Sequence, residues 1–371
     1  DVESRGLGDV YKRQPMYCEK LRLIHIRNLD DKTIEPGKGL TFIAGPNGCG
    51  KTNLIEAIYY SSVGKSFRTA NDNDMIRLGE EEGSILLTYR VHQTSHVLKI
   101  RMVRGQGKKF YLNDTPIRRK ELLGLFRTVL FTPDELQLIK GAPLIRRRFL
   151  DMEISQVSPR YYETLLSYNR AVQQRNAAFR QAQLSGRKAE VDLWDMQIAK
   201  GAAYLVKKRL ETIAKMNRKV PLLERYLTGE KETLSIRYVQ QGEEEAHTEV
   251  EWYLTMLSQH REMDARLAHT SVGPHRDDLR FLLNGLDIAA YGSQGQQRTA
   301  ILSMKLSEME FIKEETGSYP VLLLDDIGSE LDAARREALM VYLEKEKIQT
   351  LMTGTDPALA GMGTVIEMEN K

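Results

Sequence analysis

Two segments of the sequence carry residue types that can bind and cleave a phosphate chain. The first, Gly45-Pro-Asn-Gly-Cys-Gly-Lys51-Thr52, directly follows the apolar run Leu40-Thr-Phe-Ile-Ala44 and opens a helix-like segment, residues 52–60. A tight glycine turn lets backbone N–H groups surround phosphate oxygens, and the N-terminus of a helix adds positive potential. The pattern therefore predicts a phosphate loop that binds a nucleoside triphosphate.

Each polar residue of this loop has a role in that chemistry. Lys51 can reach the β- and γ-phosphates, and the Thr52 hydroxyl can ligate Mg²⁺. A glycine-rich turn without a ligand is the alternative, and the position between a strand-like and a helix-like run disfavours it. The predicted ATP contacts are Gly45, Pro46, Asn47, Gly48, Cys49, Gly50, Lys51, Thr52 and Asn53.

The second segment ends an apolar run, Val321-Leu-Leu-Leu, with the carboxylates Asp325 and Asp326. At the carboxyl end of a strand beside the phosphate loop, Asp325 can hold Mg²⁺ and Asp326 can activate the attacking water. Two passive core aspartates are the alternative, but a buried pair without a cation carries a large electrostatic penalty. The sequence therefore predicts an ATPase with Thr52 and Asp325 as metal ligands. Lys51 and Asp326 are predicted to be catalytic.

Length and composition fit a protein with two lobes. The chain has 371 residues, 41% of them hydrophobic and 28% charged, and chains of this length usually divide into domains. It has no apolar stretch of the roughly 20 residues that span a bilayer and no signal-peptide pattern, so we expect a cytoplasmic protein without a membrane partner. Residues 1–15 lack periodicity and are interpreted as a non-native leader before Met16.

Mg²⁺ carried in with the nucleotide is the only metal that we expect. The two cysteines, Cys18 and Cys49, offer no zinc site, and a disulfide at Cys49 would obstruct the phosphate loop. The seven histidines show no metal-ligand spacing.

The net charge of +3 is too small to indicate a nucleic-acid partner by itself. Local basic clusters are candidates for phosphate contacts, and for each of them a solvated helix face is an equally good interpretation. The clusters are Arg118-Arg119-Lys120, Arg146-Arg147-Arg148 and Lys207-Lys208-Arg209.

The order of strand-like and helical segments predicts an α/β fold in which one lobe is split in sequence. We expect an ATPase lobe formed by residues 16–142 and 270–371, with a mainly helical second lobe, residues 143–269, inserted between them. In the insert, one helix opens at Ser158-Pro159, a second covers about 190–219 before Pro221, and a third covers 245–266. No heptad pattern is sustained, so no long coiled coil is expected.

A third segment, Tyr291-Gly-Ser293-Gln294-Gly295-Gln296, is a small turn that opens a helix upstream of the paired carboxylates. It resembles the signature motif of ABC-type ATPases, in which serine and glycine meet the γ-phosphate of ATP bound to the other protomer. Ser329-Glu330-Leu331-Asp332 similarly resembles the D-loop. The resemblance implies a catalytic, ATP-binding Ser293, with Gly295 and Gln296 as further ATP contacts.

A phosphate loop and a signature on one chain imply a head-to-tail pair that closes two ATP sites by symmetry. Each charge-assisted contact with the γ-phosphate is worth about 1.5–3 kcal/mol, so hydrolysis at both sites would weaken the pair by orders of magnitude. We therefore expect a homodimer that forms with ATP and is reset by hydrolysis.

Further phrases make the resemblance more specific. They are Arg27-Asn28-Leu29, Gly64-Lys-Ser-Phe-Arg68-Thr69, Phe131-Thr-Pro-Asp-Glu135-Leu, Gly141-Ala-Pro-Leu-Ile-Arg-Arg147-Arg-Phe-Leu-Asp151 and Gly273-Pro-His-Arg-Asp-Asp278-Leu. From Met16 to its end, the chain resembles the RecF family of bacterial recombination mediator ATPases. The resemblance implies ATP-dependent dimerisation on double-stranded DNA near gaps or single/double-strand junctions, with slow, DNA-stimulated turnover. It also implies RecR and RecO as partners in recombinase loading for DNA repair and replication restart.

Three correspondences with ABC ATPases are left open. Segment 131–142 occupies the place of the Q-loop, and Gln137 is its only glutamine. Leu351-Met-Thr353-Gly-Thr355 offers hydroxyls where such enzymes often carry a switch histidine. Arg68 is either a contact with phosphate or DNA, or a structural surface arginine.

Three other functions are weighed against this one. A transporter's nucleotide-binding subunit is disfavoured by the long helical insert and the RecF-like phrases. A nuclease-coupled ATPase would need a further acidic metal-site domain, for which we find no segment. A DNA clamp in which ATP binds but its turnover is incidental can be separated only by kinetics.

Overall fold

The computed structural model describes residues 16–229, 231–326, 331–355, 361 and 363–369. Within these residues the chain forms two compact units. The first unit contains the described residues up to Leu136, Leu222–Lys231 and those from Gln294 onward, and the second contains Gln137–Pro221 and Glu232–Ser293. The interpretation of residues 1–15 as a leader lies outside the described residues. The lobe boundaries at 142 and 269 stay a prediction.

Antiparallel strands form one sheet of the first unit. They are β1 (Tyr17–Ile26), β2 (Leu29–Ile34), β4 (Glu82–Val91), β5 (Thr94–Val103), β6 (Gly107–Leu112) and β7 (Thr115–Ile117). Their order in the sheet is β2-β1-β4-β5-β6-β7. Alternation sets the two faces: in β1, Leu21 and Leu23 are buried while Arg22 between them is exposed. One face therefore packs on the core and the other meets solvent.

A parallel sheet forms the other layer of the first unit. Its strands are β3 (Leu40–Ala44), β8 (Thr128–Phe131), β12 (Val321–Leu324), β13 (Thr350–Gly354) and β14 (Thr364–Glu367). The order is β14-β3-β13-β12-β8, and all pairings are parallel. Every residue of β8, β12 and β13 is buried, as expected for strands covered on both faces. The carboxyl ends of β3, β12 and β13 meet at one edge.

Helix α1 (Lys51–Val63) contacts strands of both sheets. Its residues Leu54, Ile55 and Ile58 share one hydrophobic core with strand residues such as Leu87 and Leu323. The other helices of the first unit are α2 (Arg119–Leu122), α10 (Gln294–Thr316) and α11 (Ala333–Lys345). A short helix, α3 (Leu136–Lys140), begins at the last residue before the second unit. The core thus holds the start of α1 against the edge where the parallel strands end.

The second unit is mainly helical. Its helices are α4 (Pro143–Val157), α5 (Pro159–Ser185), α6 (Asp192–Thr228), α7 (Val250–Gln259), α8 (Arg261–Leu267) and α9 (Ile288–Tyr291). The residues of α6 from Leu222 onward are part of the first unit. Strands β9 (Leu234–Val239), β10 (Asp278–Leu283) and β11 (Leu286–Asp287) form a small antiparallel sheet in the order β11-β10-β9. Strand β9 was not predicted; Leu234 and Ile236 are buried in alternation. This alternation over so few residues is a weak signal within a helical context.

Two helix boundaries differ from the prediction. The helix expected to end before Pro221 continues to Thr228 as α6. Proline removes one helical hydrogen bond, but the buried residues Val220, Leu223 and Leu227 continue the apolar spacing through it. The single helix expected over 245–266 is instead α7 and α8, with a break at His260.

Candidate nucleotide-binding site

The phosphate loop lies between the end of β3 at Ala44 and the start of α1 at Lys51. Gly45 has a φ of 157°, and a Cβ there would lie 2.4 Å from the Met368 carbonyl oxygen, so only glycine fits. Gly48 has a φ of 86°, and a Cβ built there would meet no heavy atom of the described residues within 4 Å. The loop is therefore closely packed on one side and open on the other.

Lys51 lies over the loop rather than in solvent. Its Nζ donates to the carbonyl oxygens of Gly45 at 2.6 Å and Pro46 at 2.9 Å, and the residue is 9% exposed. Carbonyl oxygens are the acceptors that hold the ammonium in this arrangement, and a phosphate oxygen is a stronger acceptor of the same kind. The ammonium is thus held against the loop by two carbonyl oxygens.

Asp325 follows β12 and faces the first turn of α1. Its Oδ1 accepts hydrogen bonds from Thr52 Oγ1 at 3.0 Å and from Thr353 Oγ1 at 2.7 Å. Its amide donates to the Phe131 carbonyl oxygen at 2.9 Å, which fixes the backbone at the strand end. Burial raises the pKa of Asp325, while the bonds from Thr353 and Thr52 oppose that shift. A hydroxyl and a carboxylate oxygen that a hard cation prefers therefore lie side by side.

Asp326 differs from Asp325 in its exposure and backbone conformation. Its backbone is left-handed, with a φ of 52°, and the residue is exposed whereas Asp325 is buried. Its amide donates to Thr353 Oγ1 at 2.9 Å. The Thr353 hydroxyl therefore donates to one aspartate and accepts from the other, and it orients both. The sequence suggested hydroxyls in this strand but did not indicate that link.

A chain of polar contacts runs beside the loop. Asn28 Nδ2 donates to the Gly48 carbonyl oxygen at 2.9 Å, and Asn28 Oδ1 accepts from Asn53 Nδ2 at 2.7 Å. Arg68 Nη1 donates to Asn53 Oδ1 at 2.7 Å and to Glu56 Oε2 at 3.3 Å. Asn28 was not among the predicted site residues because it lies far from the loop in sequence. The contacts tie Arg68 to the first turns of α1, so it has a structural role whatever else it touches.

Glu56 anchors this network from inside the first unit. It is fully buried and accepts two hydrogen bonds from Arg27, at 2.9 Å from Nε and 2.6 Å from Nη2. Ser66 also donates to Glu56. A buried carboxylate held by two guanidinium groups and a hydroxyl is fully paired, which offsets its desolvation.

A cavity of about 600 Å³ opens next to the phosphate loop. It shares Asn28 and Asn53 with the network beside the loop, and four guanidinium groups face it. Its lining residues are Arg27, Asn28, Asn53, Arg68, Asn73, Asp74, Ile76, Arg77, Leu78 and Arg104. Its composition suits an anionic or strongly polar ligand.

The signature-like turn opens α10, which begins at Gln294, directly after Ser293. Ser293 is exposed, and a Cβ at Gly295 would meet, among the described residues, only Arg335 Nη1, at 3.9 Å. Asp332 caps α11 by accepting from the Arg335 amide at 2.9 Å. Ser329 and Glu330 of the D-loop interpretation lie outside the described residues. The turn at Gly295 therefore has open space on its side-chain face.

Arginines of two basic clusters point into the second unit rather than to a ligand surface. Arg146 makes two hydrogen bonds to Asp278, at 2.7 and 2.9 Å, and Arg147 donates to the Asp277 carbonyl oxygen at 2.6 Å. Arg209 is 2% exposed and pairs with Asp151 at 2.8 Å. For the buried Arg209, the suggestion of a phosphate contact is wrong; for Arg146 and Arg147, which are half-buried, it stays a prediction.

The Q-loop interpretation of Gln137 stays a prediction. The residue is exposed, and its carbonyl oxygen accepts from the Gly141 amide at 2.8 Å.

Among the described residues, no group of three or more His, Cys, Asp or Glu side chains could hold a metal ion. No helix of the described chain is long and apolar enough to cross a membrane.

The residues present fit a magnesium-bound nucleoside triphosphate. The open side of the loop at Gly48, the ammonium of Lys51 and the Thr52–Asp325 pair converge at the N-terminus of α1. Helix N-termini favour anions, and a hydroxyl beside a carboxylate suits Mg²⁺ when phosphate oxygens and waters complete its shell.

Comparison with known proteins identifies a close set of relatives. The family described as RecF/RecN/SMC N terminal domain matches residues 17–368. The DNA replication and repair protein RecF of Alkaliphilus oremlandii is 39% identical over 346 residues, which cover 92% of this chain and 93% of that protein. A solved structure described as that of the recombination mediator protein RecF-ATPrS in RecFOR pathway has a TM-score of 0.88 and 32% identity, covering 96% of this chain and 97% of that one. An Smc head domain from Pyrococcus furiosus shares the fold, with a TM-score of 0.58 at 17% identity.

Proposed function

The chain belongs to the RecF family of DNA replication and repair proteins, and we propose that it is a DNA-binding ATPase whose ATP-bound dimer forms on double-stranded DNA. The observation that carries the proposal is the contact between Thr52 Oγ1 and Asp325 Oδ1 at 3.0 Å. It joins the phosphate loop to the carboxylate that follows β12, although the two residues are far apart in sequence. Such a pair is the protein half of a magnesium site in P-loop ATPases.

In this proposal each residue of the loop has a defined task. Backbone N–H groups of the loop surround the phosphates at the start of α1. The loop residues in contact with ATP are Gly45, Pro46, Asn47, Gly48, Cys49, Gly50, Lys51, Thr52 and Asn53, and all of them except Pro46 have an N–H to donate. Lys51 exchanges its carbonyl acceptors for phosphate oxygens. Thr52 and Asp325 hold Mg²⁺, which neutralises charge on the phosphates when bound. Thr353 keeps Asp325 in position.

Asp326 is the proposed base. It lies at the exposed side of the strand end, where a water can approach, and its backbone is held by Thr353. A carboxylate there accepts the proton of the attacking water. Because Asp325 is buried beside Thr52 and Asp326 is exposed, one carboxylate serves the metal and the other serves the water in this proposal.

The dimer is proposed from the signature turn. The γ-phosphate held by the loop of one protomer is contacted by three residues of the other protomer: Ser293, Gly295 and Gln296. The open space at Gly295 leaves room for that ligand, and the N-terminus of α10 adds positive potential. A two-fold pair closes two identical sites, so ATP binding and hydrolysis form and release the dimer.

The cavity beside the loop is proposed to take the ribose and base. Asn28 and Asn53 belong to both the cavity and the network at the loop, so a ligand with its phosphates in the loop passes directly into it.

The two lobes are proposed with the boundaries predicted from the sequence. The ATPase lobe consists of residues 16–142 and 270–371. The helical lobe consists of residues 143–269.

The cellular role follows from the family. We propose slow, DNA-stimulated turnover near gaps or single/double-strand junctions, with RecR and RecO as partners in recombinase loading. Support comes from the related structure, which is described as part of the RecFOR pathway. A clamp that binds ATP without using its hydrolysis is the second candidate, and release kinetics separate the two.

The test is the oligomeric state by light scattering, with and without Mg-ATP and a short duplex. Wild type dimerises only with ATP, whereas Lys51→Met and Ser293→Arg stay monomeric. Ser185→Arg is the matched control, since Ser185 is also an exposed serine next to a glycine, at the end of α5. Asp326→Asn dimerises but fails to release. ATP-dependent dimers of normal stability in Ser293→Arg would contradict the cross-protomer signature.

A further inference from the structure

Helix α6 has two faces of opposite character in the second unit. Its interior face carries buried residues, among them Leu205, Val206 and Arg209. Arg209 pairs with Asp151 inside the unit, so the predicted cluster Lys207-Lys208-Arg209 is divided between the faces. The basic residues that remain lie on the other side of the helix.

The outward side of α6 forms what we call the basic helix face. With 3.6 residues per turn, positions 200, 204, 207, 211, 215 and 218 follow one another along a single stripe. The cations on or next to this stripe are Lys200, Lys207, Lys208, Lys215, Arg218 and Lys219, all exposed or half-buried. Between residues 200 and 219, Glu211 is the only acidic residue, and it pairs with Lys208 at 2.6 Å. Along this stretch of α6, basic residues therefore outnumber acidic ones.

A further cation extends the face from the neighbouring helix. The Arg160 guanidinium, at the start of α5, lies 4.8 Å from the centre of the Tyr204 ring. Tyr204 belongs to the stripe, so Arg160 is held beside it by a cation–π contact. Two helices thus contribute positive charge to one surface.

We propose that the basic helix face binds the phosphate backbone of double-stranded DNA. The inference rests on the proposed function and names the surface that performs its DNA binding. At 1.5 Å per residue, Lys200 and Arg218 are about 27 Å apart along the helix axis. Phosphates of one DNA strand follow at about 3.4 Å along the duplex, so the face matches a run of roughly eight of them.

The chemistry of the face favours DNA over a membrane. A helix that binds a lipid surface needs large apolar residues that enter the bilayer beside its cations. Between Lys200 and Arg218 the one uncharged position of the stripe is Tyr204, which is not a large aliphatic residue. Lysine and arginine without such anchors suit a polyanion that stays in water.

The test compares two triple variants of the full chain with Mg-ATP present. Lys200→Gln, Lys207→Gln and Arg218→Gln together remove three charges from the basic helix face, and glutamine keeps the helix propensity. Arg180→Gln, Arg187→Gln and Lys188→Gln remove three exposed charges elsewhere in the second unit. The measurement is affinity for a short duplex as a function of salt concentration.

Each lost phosphate contact lowers the slope of log affinity against log salt by about 0.9, so the first variant loses about 2 to 3 in slope. Its affinity at 50 mM salt falls by roughly 100-fold, while the control variant stays within a few-fold of wild type. The charge-preserving Lys200→Arg with Lys207→Arg keeps the wild-type slope. Binding of fluorescent ATP stays unchanged in all three.

Each other outcome is decisive. Equal losses in the two triple variants would overturn the basic helix face as the specific surface, although wild-type DNA binding would still support the proposed function. If wild type with Mg-ATP binds no duplex, the proposed function fails together with this inference. If vesicles with anionic lipid bind through the face and duplex DNA does not, the partner is a membrane and the inference is wrong.

Discussion

Thr353 and Asp325 are joined across two neighbouring parallel strands by a hydrogen bond of 2.7 Å from Thr353 Oγ1 to Asp325 Oδ1. The same hydroxyl accepts from the Asp326 amide at 2.9 Å. One buried side chain of β13 therefore sets the position of both carboxylates that follow β12. In the proposed mechanism, any movement of β13 is transmitted to the metal ligand and to the base together.

Replacing Thr353 by valine removes both hydrogen bonds with little change in shape. A bond to a charged group is worth about 1.5–3 kcal/mol, so if the loss falls on the transition state, hydrolysis slows by roughly 10- to 100-fold. Without the Thr353 bond the pKa of Asp325 rises further, so Mg²⁺-dependent binding of nucleotide shifts to higher pH. Steady-state hydrolysis and nucleotide titrations at several pH values measure both effects.

The matched control is Thr350→Val on the same strand. Thr350 is fully buried, and its hydroxyl donates to the Ile348 carbonyl oxygen at 3.3 Å, away from the aspartates. It tests whether the loss of any buried hydroxyl from β13 is enough to slow hydrolysis. Equal slowing in the two variants would mean that Thr353 acts through the stability of the strand.

Asp325→Asn should stabilise the nucleotide-free protein at neutral pH. Burial raises the pKa of Asp325 above its ordinary value of 3.8, so its ionised form is disfavoured in the folded state. The folded state then holds more protons than the unfolded chain above pH 3.8, and the free energy of unfolding falls as pH rises through that raised pKa. Asparagine removes this loss while its oxygen still accepts from Thr52 and Thr353. Thermal unfolding at pH 5 and pH 8 without nucleotide measures the difference.

Mg-ATP should reverse the order of the two proteins. Wild type gains stability in proportion to the occupancy of its site, whereas Asp325→Asn has lost its anionic metal ligand and gains less. Asp326→Asn is the control, because it changes the neighbouring exposed carboxylate. If Asp325→Asn were stabilised by Mg-ATP as strongly as wild type, the metal assignment would be wrong.

Arg146→Gln should lower the free energy of unfolding of the second unit. This effect does not involve ligand binding. Arg146 holds Asp278 with two hydrogen bonds and also donates to the Gly141 carbonyl oxygen at 2.8 Å. Removing one partner of a largely buried pair costs about 2 to 3 kcal/mol. Arg148→Gln, at the exposed position of the same cluster, should change the free energy of unfolding by less than about 0.5 kcal/mol. Denaturant unfolding compares them, and equal stability would place Arg146 back among the surface residues.

The parts of the site that the sequence predicted are those whose chemistry is local. Gly45, Lys51 and Thr52 lie in one short segment, and Asp325 ends an apolar run, so residue type and spacing were sufficient. Thr353 and Asn28 were not assigned as site residues because their partners are distant in sequence and are reached only through the parallel sheet and the loop. Sequence spacing gives no such pairing.

The sequence also could not predict which residues of the basic clusters face inward. Charge alone does not say which way a side chain points, and Arg147 and Arg209 lie on amphipathic helices where one residue of a cluster must face inward. In α6, the buried positions show that Arg209 faces inward while Lys207 and Lys208 face outward. Pro221 misled the prediction because tertiary packing of the flanking apolar residues outweighs the loss of one hydrogen bond.

His275 gives the second unit a dependence on pH that can be tested. Its Nε2 lies 3.0 Å from the Thr270 carbonyl oxygen, so that nitrogen carries the proton and Nδ1 accepts from the Tyr168 hydroxyl. Burial lowers the pKa of His275 from 6.5 to about 4, and the nearby Arg276 adds to the shift. The folded state therefore binds fewer protons than the unfolded chain between these values, and stability falls as pH drops from 6.5 toward 4. The loss between pH 7 and pH 4 is about 3 kcal/mol.

His275→Asn should flatten that part of the stability curve, because asparagine does not titrate. The variant is less stable than wild type at pH 7, since the Tyr168 hydroxyl loses its acceptor, and the gap narrows as pH falls. His92→Asn, in the exposed turn between β4 and β5, is the control and keeps the wild-type curve. Urea unfolding at pH 7, 6, 5 and 4 measures the curves. A wild-type curve that stays flat from pH 6.5 to 4, or one that His275→Asn leaves unchanged, would show that other groups set the response.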